Sequence, residues 1–331
     1  MKAIVYTRYG PPDVLELKEV DKPAPGDDEV LVKIHAASVN ALDWHLLRAD
    51  PFLARLYAGL LKPKYRILGA DIAGRVEAVG KDVKQVKPGD EVFGDVFACG
   101  LGGFAEYVCA GENAVVLKPE NLTFEQVAAV PVAAVTALHG LRDNGRIQRG
   151  QKVLINGASG GVGTFAVQIA RSFGAEVTAV CSTRNLDMAR SIGADRVIDY
   201  TREDFTRNGQ RYDLIIGANG FHPISDYKRA LSPEGIYVMT GGSGAQMFQA
   251  MLWGPFISMT GKKKLGGLSS KPNRKDLVYI KELVESGKVK PVIDRQYPLS
   301  EVPEALRYLG EGHARGKVVI TVEPESRSER L

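Results

Sequence analysis

Cysteine and histidine are scarce in this chain: three and five of 331 residues. Cys99, Cys109 and Cys181 form no Cys-x-x-Cys pair and no even-numbered framework. That argues against a disulfide scaffold and against a four-cysteine metal lobe, and it leaves three free thiols suited to a reducing compartment. The histidines, His35, His45, His139, His222 and His313, are scattered and lack the spacing of a ligand pair. Long hydrophobic runs are also missing. The longest, Met247 to Met259, is broken by Gly254 and Pro255 and is too short to cross a bilayer. Neither sign of charge dominates: 43 Lys and Arg stand against 39 Asp and Glu. Lys262 to Lys264 is the densest basic run, so nucleic acid is not an expected partner. The chain opens directly on the alternating Lys2-Ala3-Ile4-Val5-Tyr6, so no targeting segment is expected. A soluble, cytoplasmic protein is the resulting expectation.

What is present is a glycine turn between a strand and a helix. Val153 to Asn156 reads as a short apolar strand. Gly157, Gly160, Gly161 and Gly163 follow, in the spacing Gly-x-x-Gly-x-x-Gly. Thr164 to Phe173 then places Phe165, Ile169 and Phe173 at helical intervals. Such a turn presents backbone N–H groups at the positive end of a helix, an anion site suited to a pyrophosphate. Glycine is needed there because a Cβ would block the phosphates and crowd the helix against the strand. Ser159, Gly160, Gly161 and Val162 are the candidate contacts. The next strand, Glu176 to Val180, ends in Cys181-Ser182-Thr183-Arg184-Asn185, with no acid before Asp187. An NAD site usually places a carboxylate at that point to bind the ribose 2′-hydroxyl. Ser182 and Arg184 suit a 2′-phosphate instead, so NADP(H) is the expected cofactor.

The length suits two domains, and 44% apolar residues can fill two cores. The first ~120 residues are β-rich, with strand-like runs at 3–6, 29–37, 73–79, 91–93 and 105–109 between glycine and proline turns. Residues 43–61 look helical, broken by Pro51. From Thr123, which should cap a helix over 124–130, helix and strand alternate. Helix is expected to continue over 131–141. Strands are expected at 153–156, 176–180, 196–198, 213–216, 235–239 and 264–267, with helices between them and another helix at 244–253. That is an α/β pattern, a doubly wound, six-stranded parallel sheet. After a helix over 276–286, strand-like residues return at 292–297 and 316–322. The expected partition is a β-barrel-like domain of residues 1–122 and 291–331, interrupted by a dinucleotide-binding domain of 123–290.

These motifs together resemble the medium-chain dehydrogenase/reductase superfamily, in its zinc-free quinone-oxidoreductase (zeta-crystallin-like) branch. Gly150-Gln151, Leu154, Ala158-Ser159-Gly160-Gly161, Gly163, Gln168 and Arg171 fall at the positions of that branch's signature. Gly69-x-Asp71-x-x-Gly74-x-Val76, Gly80 and Gly89-Asp90-x-Val92 match the superfamily's barrel pattern. The resemblance implies a GroES-like barrel joined to a Rossmann domain, and a homodimer formed through the last strand of the Rossmann sheet. Zinc-dependent members carry Cys at the position of Asn40 and His at that of Ala70. Both ligands are absent here, so no metal site is expected. An improvised set of Asp43, His45, Asp71 and Cys99 is the only alternative.

The resemblance also implies residue roles. Asn40 and Asp43 match an Asn-x-x-Asp element at the nicotinamide end, where Asn40 could donate to a substrate oxygen and Asp43 would fix the loop. Trp44, Phe52, Leu53, Tyr57 and Tyr65 would wall the substrate pocket. Thr136, Tyr200, Asn219, Gly241-Gly242-Ser243 and Lys317 would lie along the cofactor. Residues 217–220, Gly-Ala-Asn-Gly, replace the Asp often found in that loop. No Tyr-x-x-x-Lys occurs, so the proton-donor pair of short-chain reductases is not available. Without a Lewis acid, a simple carbonyl is hard to reduce. A conjugated acceptor is easier, because hydrogen-bond donors can stabilise the enolate or hydroquinone that forms. The expected activity is NADPH-dependent reduction of a quinone or an α,β-unsaturated carbonyl. A non-catalytic NADPH-binding protein and a metal-dependent alcohol dehydrogenase are the alternatives.

Overall fold

A computed structural model describes residues 1–50, 55–220, 222–242, 262–268 and 273–322. By its contacts the chain divides into two compact units. One comprises Met1–Val132, Asn273–Glu285 and Ile293–Leu331, the other Ala133–Pro272 and Ser286–Val292. The boundary differs from the sequence expectation at 123–132 and at the helix near 276–286, which belong to the first unit. Helix Phe124–Ala128 packs on barrel strands, where the Phe124 ring stacks on His35 at 4.4 Å. Helix Arg274–Glu285 rests on the barrel strand Val115–Leu117.

The first unit begins with a two-stranded antiparallel ribbon, β1 (Lys2–Val5) and β2 (Glu16–Glu19). Its main sheet is built on β3 (Glu29–Val39), which pairs antiparallel with β4 (Asp71–Val79). Beyond β4 lie β5 (Glu91–Asp95) and β7 (Val115–Leu117), while β6 (Tyr107–Gly111) pairs with the first half of β3. The chain returns late to add β15 (Lys317–Thr321) to the other end of β3, and β14 (Ile293–Pro298) beside it. β3 earns its central place by composition. Val30, Val32, Ile34, Ala36 and Ala37 are fully buried, each large one worth about 1.5–3 kcal/mol of transfer free energy. β2 was not anticipated because Glu-Leu-Lys-Glu is exposed throughout and carries no burial pattern. β7 is only three residues long.

The helix expected over 43–61 is two pieces, Ala41–Arg48 and Arg55–Ala58. Ala49 terminates the first in the left-handed conformation at φ 50°, with its N–H returned to the His45 and Leu46 carbonyls. Thr123 caps its helix as expected: its hydroxyl accepts from Gln126 N at 3.3 Å, and Gln126 Oε1 accepts from Thr123 N at 2.9 Å.

The second unit is a six-stranded, wholly parallel sheet. Its strands are β8 (Lys152–Asn156), β9 (Glu176–Cys181), β10 (Arg196–Asp199), β11 (Tyr212–Gly217), β12 (Leu231–Met239) and β13 (Lys264–Gly267). Their order across the sheet is β10-β9-β8-β11-β12-β13. The sense of progression reverses between β8 and β11, the place where open α/β sheets bind ligands. Central residues such as Leu154, Ile155, Ile215 and Ile216 are fully buried, as a two-faced parallel sheet requires.

Two expectations for this unit are corrected. No helix joins β10 to β11; residues 200–211 form turns. Asp204 accepts from Thr206 N and Oγ1, Asn208 accepts from Gln210 N, and Phe205 is buried in the core cluster beside Tyr227. The helix over 131–141 ends as an α-helix at Leu138 and widens into a π-turn over His139–Asn144. The helix expected at 244–253 lies outside the described residues.

Candidate active site and dinucleotide site

In the first unit, the sheet register assembles a polar site within an apolar barrel. Ser38 on β3 faces Asp71 on β4, and Asp71 faces Asp95 on β5. One row across three strands therefore carries a hydroxyl and two carboxylates on the same face. Asn40 follows β3 directly and starts the helix Ala41–Arg48. Lys317 opens β15 beside it.

Asp71 is the hub. Its Oδ2 accepts from Ser38 Oγ at 2.6 Å, Asn40 Nδ2 at 2.9 Å and Lys317 Nζ at 3.0 Å. Its Oδ1 accepts from Val132 N at 2.8 Å, in the first turn of helix Pro131–Leu138. Lys317 also donates to Asn40 Oδ1 at 2.5 Å and to the Val39 carbonyl at 3.3 Å. The Lys317 and Asp71 side chains are 3% and 0% exposed. A buried ion pair of this kind holds its shape only because further hydrogen bonds satisfy both partners.

Asp43 is fully buried, and among the described residues it binds backbone only. Its carboxylate accepts from Asn40 N at 2.8 Å and Gly69 N at 2.9 Å. The first bond is half of a capping box, which ties the helix start to the loop before β4. Burial pushes its pKa up to about 7, against the pull of those two N–H donors; Asp71 adds repulsion and Lys317 opposes it. Asp95 is likewise raised to about 7, by burial first and then by the facing Asp71. The sequence names Asp71 only as a motif residue and a member of the improvised metal set, and Asp95 not at all, because only the register of β3, β4 and β5 brings them together.

The aromatic candidates divide. Trp44 is half-buried against the helix Val302–Gly310, so close that a Cβ on Gly310 would lie 2.4 Å from its indole. Arg48 covers the ring at 4.9 Å. Trp44 thus packs as core. Tyr65 is half-buried, with the Lys64 ammonium 5.1 Å from its ring. Phe52, Leu53 and the side chain of Tyr57 lie outside what is described. The improvised metal set is not assembled. His45 Nδ1 bonds the Asp50 carbonyl at 2.7 Å, Cys99 Sγ accepts from Gly111 N at 3.3 Å, and Asp43 is spent on backbone. Among the described residues no group of three or more His, Cys, Asp or Glu could hold a metal ion.

In the second unit the glycine turn has the form the sequence implies. Gly157 leaves β8 at φ 81°, and a Cβ on it would lie 2.6 Å from Asn219 N. A Cβ on Gly163 would meet the Gly157 carbonyl at 2.1 Å. Gly160 is the N-cap of the twelve-residue helix Gly161–Ser172 and offers no side-chain cap. Backbone N–H groups of Gly161 and Val162 thus stand at the positive end of a full helix, at the sheet's switch point. The residues fit a dinucleotide pyrophosphate. Asn219 is exposed beside the turn, with its Oδ1 accepting from Gly220 N at 2.8 Å. Gly241 and Gly242 follow β12, where Thr240 N bonds the Gly217 carbonyl at 2.9 Å. Ser243 lies outside the described residues. Thr136 is half-buried on helix Pro131–Leu138.

Ser182 and the exposed Arg184 stand just past β9, and Tyr200, 60% exposed, stands just past β10. Tyr200 N bonds the Cys181 carbonyl at 3.1 Å, which joins the two strand ends. The structure adds Asp199 to this group. It pairs in register with Cys181, so a carboxylate does reach the end of β9, from the neighbouring strand. Its charge is engaged by Thr183 Oγ1 at 2.5 Å, Thr201 Oγ1 at 2.8 Å and Arg202 Nε at 3.7 Å. Those hydroxyls hold its pKa below the usual carboxylate range. The acid at the end of Val197-Ile198-Asp199 was the available signal.

The sequence and fold are similar to those of known proteins. Residues 26–120 match the alcohol dehydrogenase GroES-like domain family, and residues 192–320 match the zinc-binding dehydrogenase family. A chloroplastic quinone-oxidoreductase of Triphysaria versicolor is 36% identical over 97% of this chain and 98% of its own. The chain belongs to the medium-chain dehydrogenase/reductase superfamily, in its quinone-oxidoreductase branch. A chloroplastic NADPH-dependent alkenal/one oxidoreductase of Arabidopsis thaliana is 34% identical over 97% of this chain and 79% of its own. The solved quinone oxidoreductase of Coxiella burnetii superposes with a TM-score of 0.87 at 33% identity, covering 98% of this chain and 99% of its own.

Proposed function

We propose that this chain is a metal-independent, NADPH-dependent reductase of quinones or of α,β-unsaturated carbonyls. The observation that carries the proposal is the barrel site itself, a buried amide donor set among carboxylates and an ammonium. Such a site can stabilise charge on a substrate oxygen by hydrogen bonding. The positions where zinc-dependent relatives place Cys and His carry Asn40 and Ala70. A conjugated acceptor needs only that donor, because the hydride's charge spreads from the β-carbon to the oxygen. A bound nicotinamide supplies the hydride. Gly160, Gly161 and Val162 hold its pyrophosphate, and Ser182, Arg184 and Tyr200 receive the adenosine end.

NADPH is preferred over NADH in this reading because a guanidinium and a hydroxyl stand past β9 and the nearby Asp199 is occupied by its threonines. The relatives' names support both halves: one acts on quinones, the other on alkenals and alkenones with NADPH. A homodimer through the edge strand β13 belongs to the same proposal.

The test is NADPH oxidation against quinones, alkenals, alkenones and simple aldehydes, with and without a chelator. Chelator-insensitive turnover of quinones or enones is expected. Turnover of simple aldehydes that a chelator abolishes would overturn the metal-free reading. Tight NADPH binding with no turnover across the panel would favour a binding protein.

A further inference from the structure

Lys317 carries three donor protons, and the structure accounts for all of them. They go to Asn40 Oδ1 at 2.5 Å, Asp71 Oδ2 at 3.0 Å and the Val39 carbonyl at 3.3 Å. With its side chain 3% exposed, the ammonium has no proton left to offer a phosphate or ribose. The Asn40 amide is in the opposite state. Its oxygen faces a cation and its nitrogen faces a carboxylate, so its orientation has one solution. One Nδ2 proton goes to Asp71 at 2.9 Å. Among the described residues the other has only the Ser38 carbonyl at 3.5 Å, beyond the ordinary N–H···O range. Asn40 is thus a nearly buried donor, 7% exposed, with one proton poorly satisfied and its amide plane locked.

We propose that Lys317 and Asp71 are positioning residues that act through Asn40, holding its amide so that the second N–H meets the oxygen of a quinone or enone. Stability alone does not account for the pair, since an apolar pair of similar volume is often as stable in a buried site. Preorganisation does account for it: a donor aimed in advance spends nothing on reorientation as charge develops. Ser38 completes the frame by donating to the same carboxylate oxygen at 2.6 Å. The inference rests on the reductase reading and assigns Lys317 to the amide rather than to the cofactor.

The experiment compares the full-length wild type with Asn40→Ala, Lys317→Met, the charge-neutral pair Asp71→Asn with Lys317→Met, and the combination of all three. The pair removes both charges of the Lys317–Asp71 ion pair together and so covers the case in which Lys317→Met alone fails to fold. Steady-state rates are measured on one quinone and one enone, and NADPH affinity is measured separately by fluorescence titration. Misaiming the donor should lower kcat on the order of 100-fold. NADPH affinity should change less than about twofold, because no phosphate contact is lost. Adding Asn40→Ala to the pair should cost almost nothing more, since residues acting through one group are not additive. Losses that multiply, or a fall in NADPH affinity with kcat preserved, would overturn the assignment while leaving the reductase reading intact. A wild type that turns over neither substrate class would remove the reading and the inference with it.

Discussion

Asp95 offers a direct test of the carboxylate row across β3, β4 and β5. Its Oδ1 accepts from Phe97 N at 2.8 Å, and its other oxygen accepts no hydrogen bond among the described residues. Asp95→Asn therefore keeps the one bond and removes the charge. The pKa of Asp95 is raised from 3.8 to about 7, by burial and by the facing Asp71. A carboxylate raised in the folded state binds its proton more tightly there than in the unfolded chain. Its folded form is therefore favoured at low pH, and stability falls as pH rises from about 4 through about 7. At about 1.4 kcal/mol per unit, a rise of about three units sets a ceiling of ~4 kcal/mol. The side chain is partly exposed, so water screens the charge and about half that ceiling is the working figure. Asp95→Asn should match the wild type within about 1 kcal/mol at pH 5 and exceed it by about 2 kcal/mol at pH 8. Urea unfolding in a Trp253→Phe background makes Trp44, in the same unit, the reporter. An equal difference at both pH values, or a mutant less stable at pH 8, would refute the reasoning.

Other outcomes follow from the second unit. Gly163→Ala would put a Cβ 2.1 Å from the Gly157 carbonyl, so the turn must open. NADPH affinity, measured by fluorescence titration, should fall at least about tenfold, and unchanged affinity would contradict the cradle. Arg184→Glu should weaken NADPH on the order of tenfold or more and leave NADH nearly unchanged. Equal losses for both cofactors would remove its assigned role. Sedimentation at micromolar concentration should show a dimer, and Lys264→Pro on the edge strand β13 should favour the monomer. A wild-type monomer under those conditions would end the homodimer proposal.

Much of the second unit was legible in the sequence because its determinants are local. Glycine spacing, a preceding apolar strand and a following amphipathic helix lie within about two dozen residues, and their geometry follows from backbone sterics. Thr123 announced its own helix for the same reason. The turns between β10 and β11 were missed because a buried Phe205 and side-chain-capped turns carry no periodicity to read. Asp199 is not legible along β9, because its carboxylate reaches the end of that strand from the adjacent one.

The barrel site shows the other limit. The resemblance read from the sequence implied that Asn40 and Asp43 form one element and that Asp43 would fix the loop; the structure shows how, with Asn40 starting the helix and the Asp43 carboxylate accepting from Asn40 N. The sequence by itself determined that Cys and His are absent from the positions where zinc-dependent relatives bind metal. Only the tertiary structure brought Lys317 across 277 positions to Asn40, and Asp71 between them. No pattern along the chain encodes such a meeting. It is decided by the register of β15 on β3 and of β3 on β4, which the burial of Val318, Val319 and Ile320 sets. Hydrophobic burial fixes the strands, and the strands place the charges.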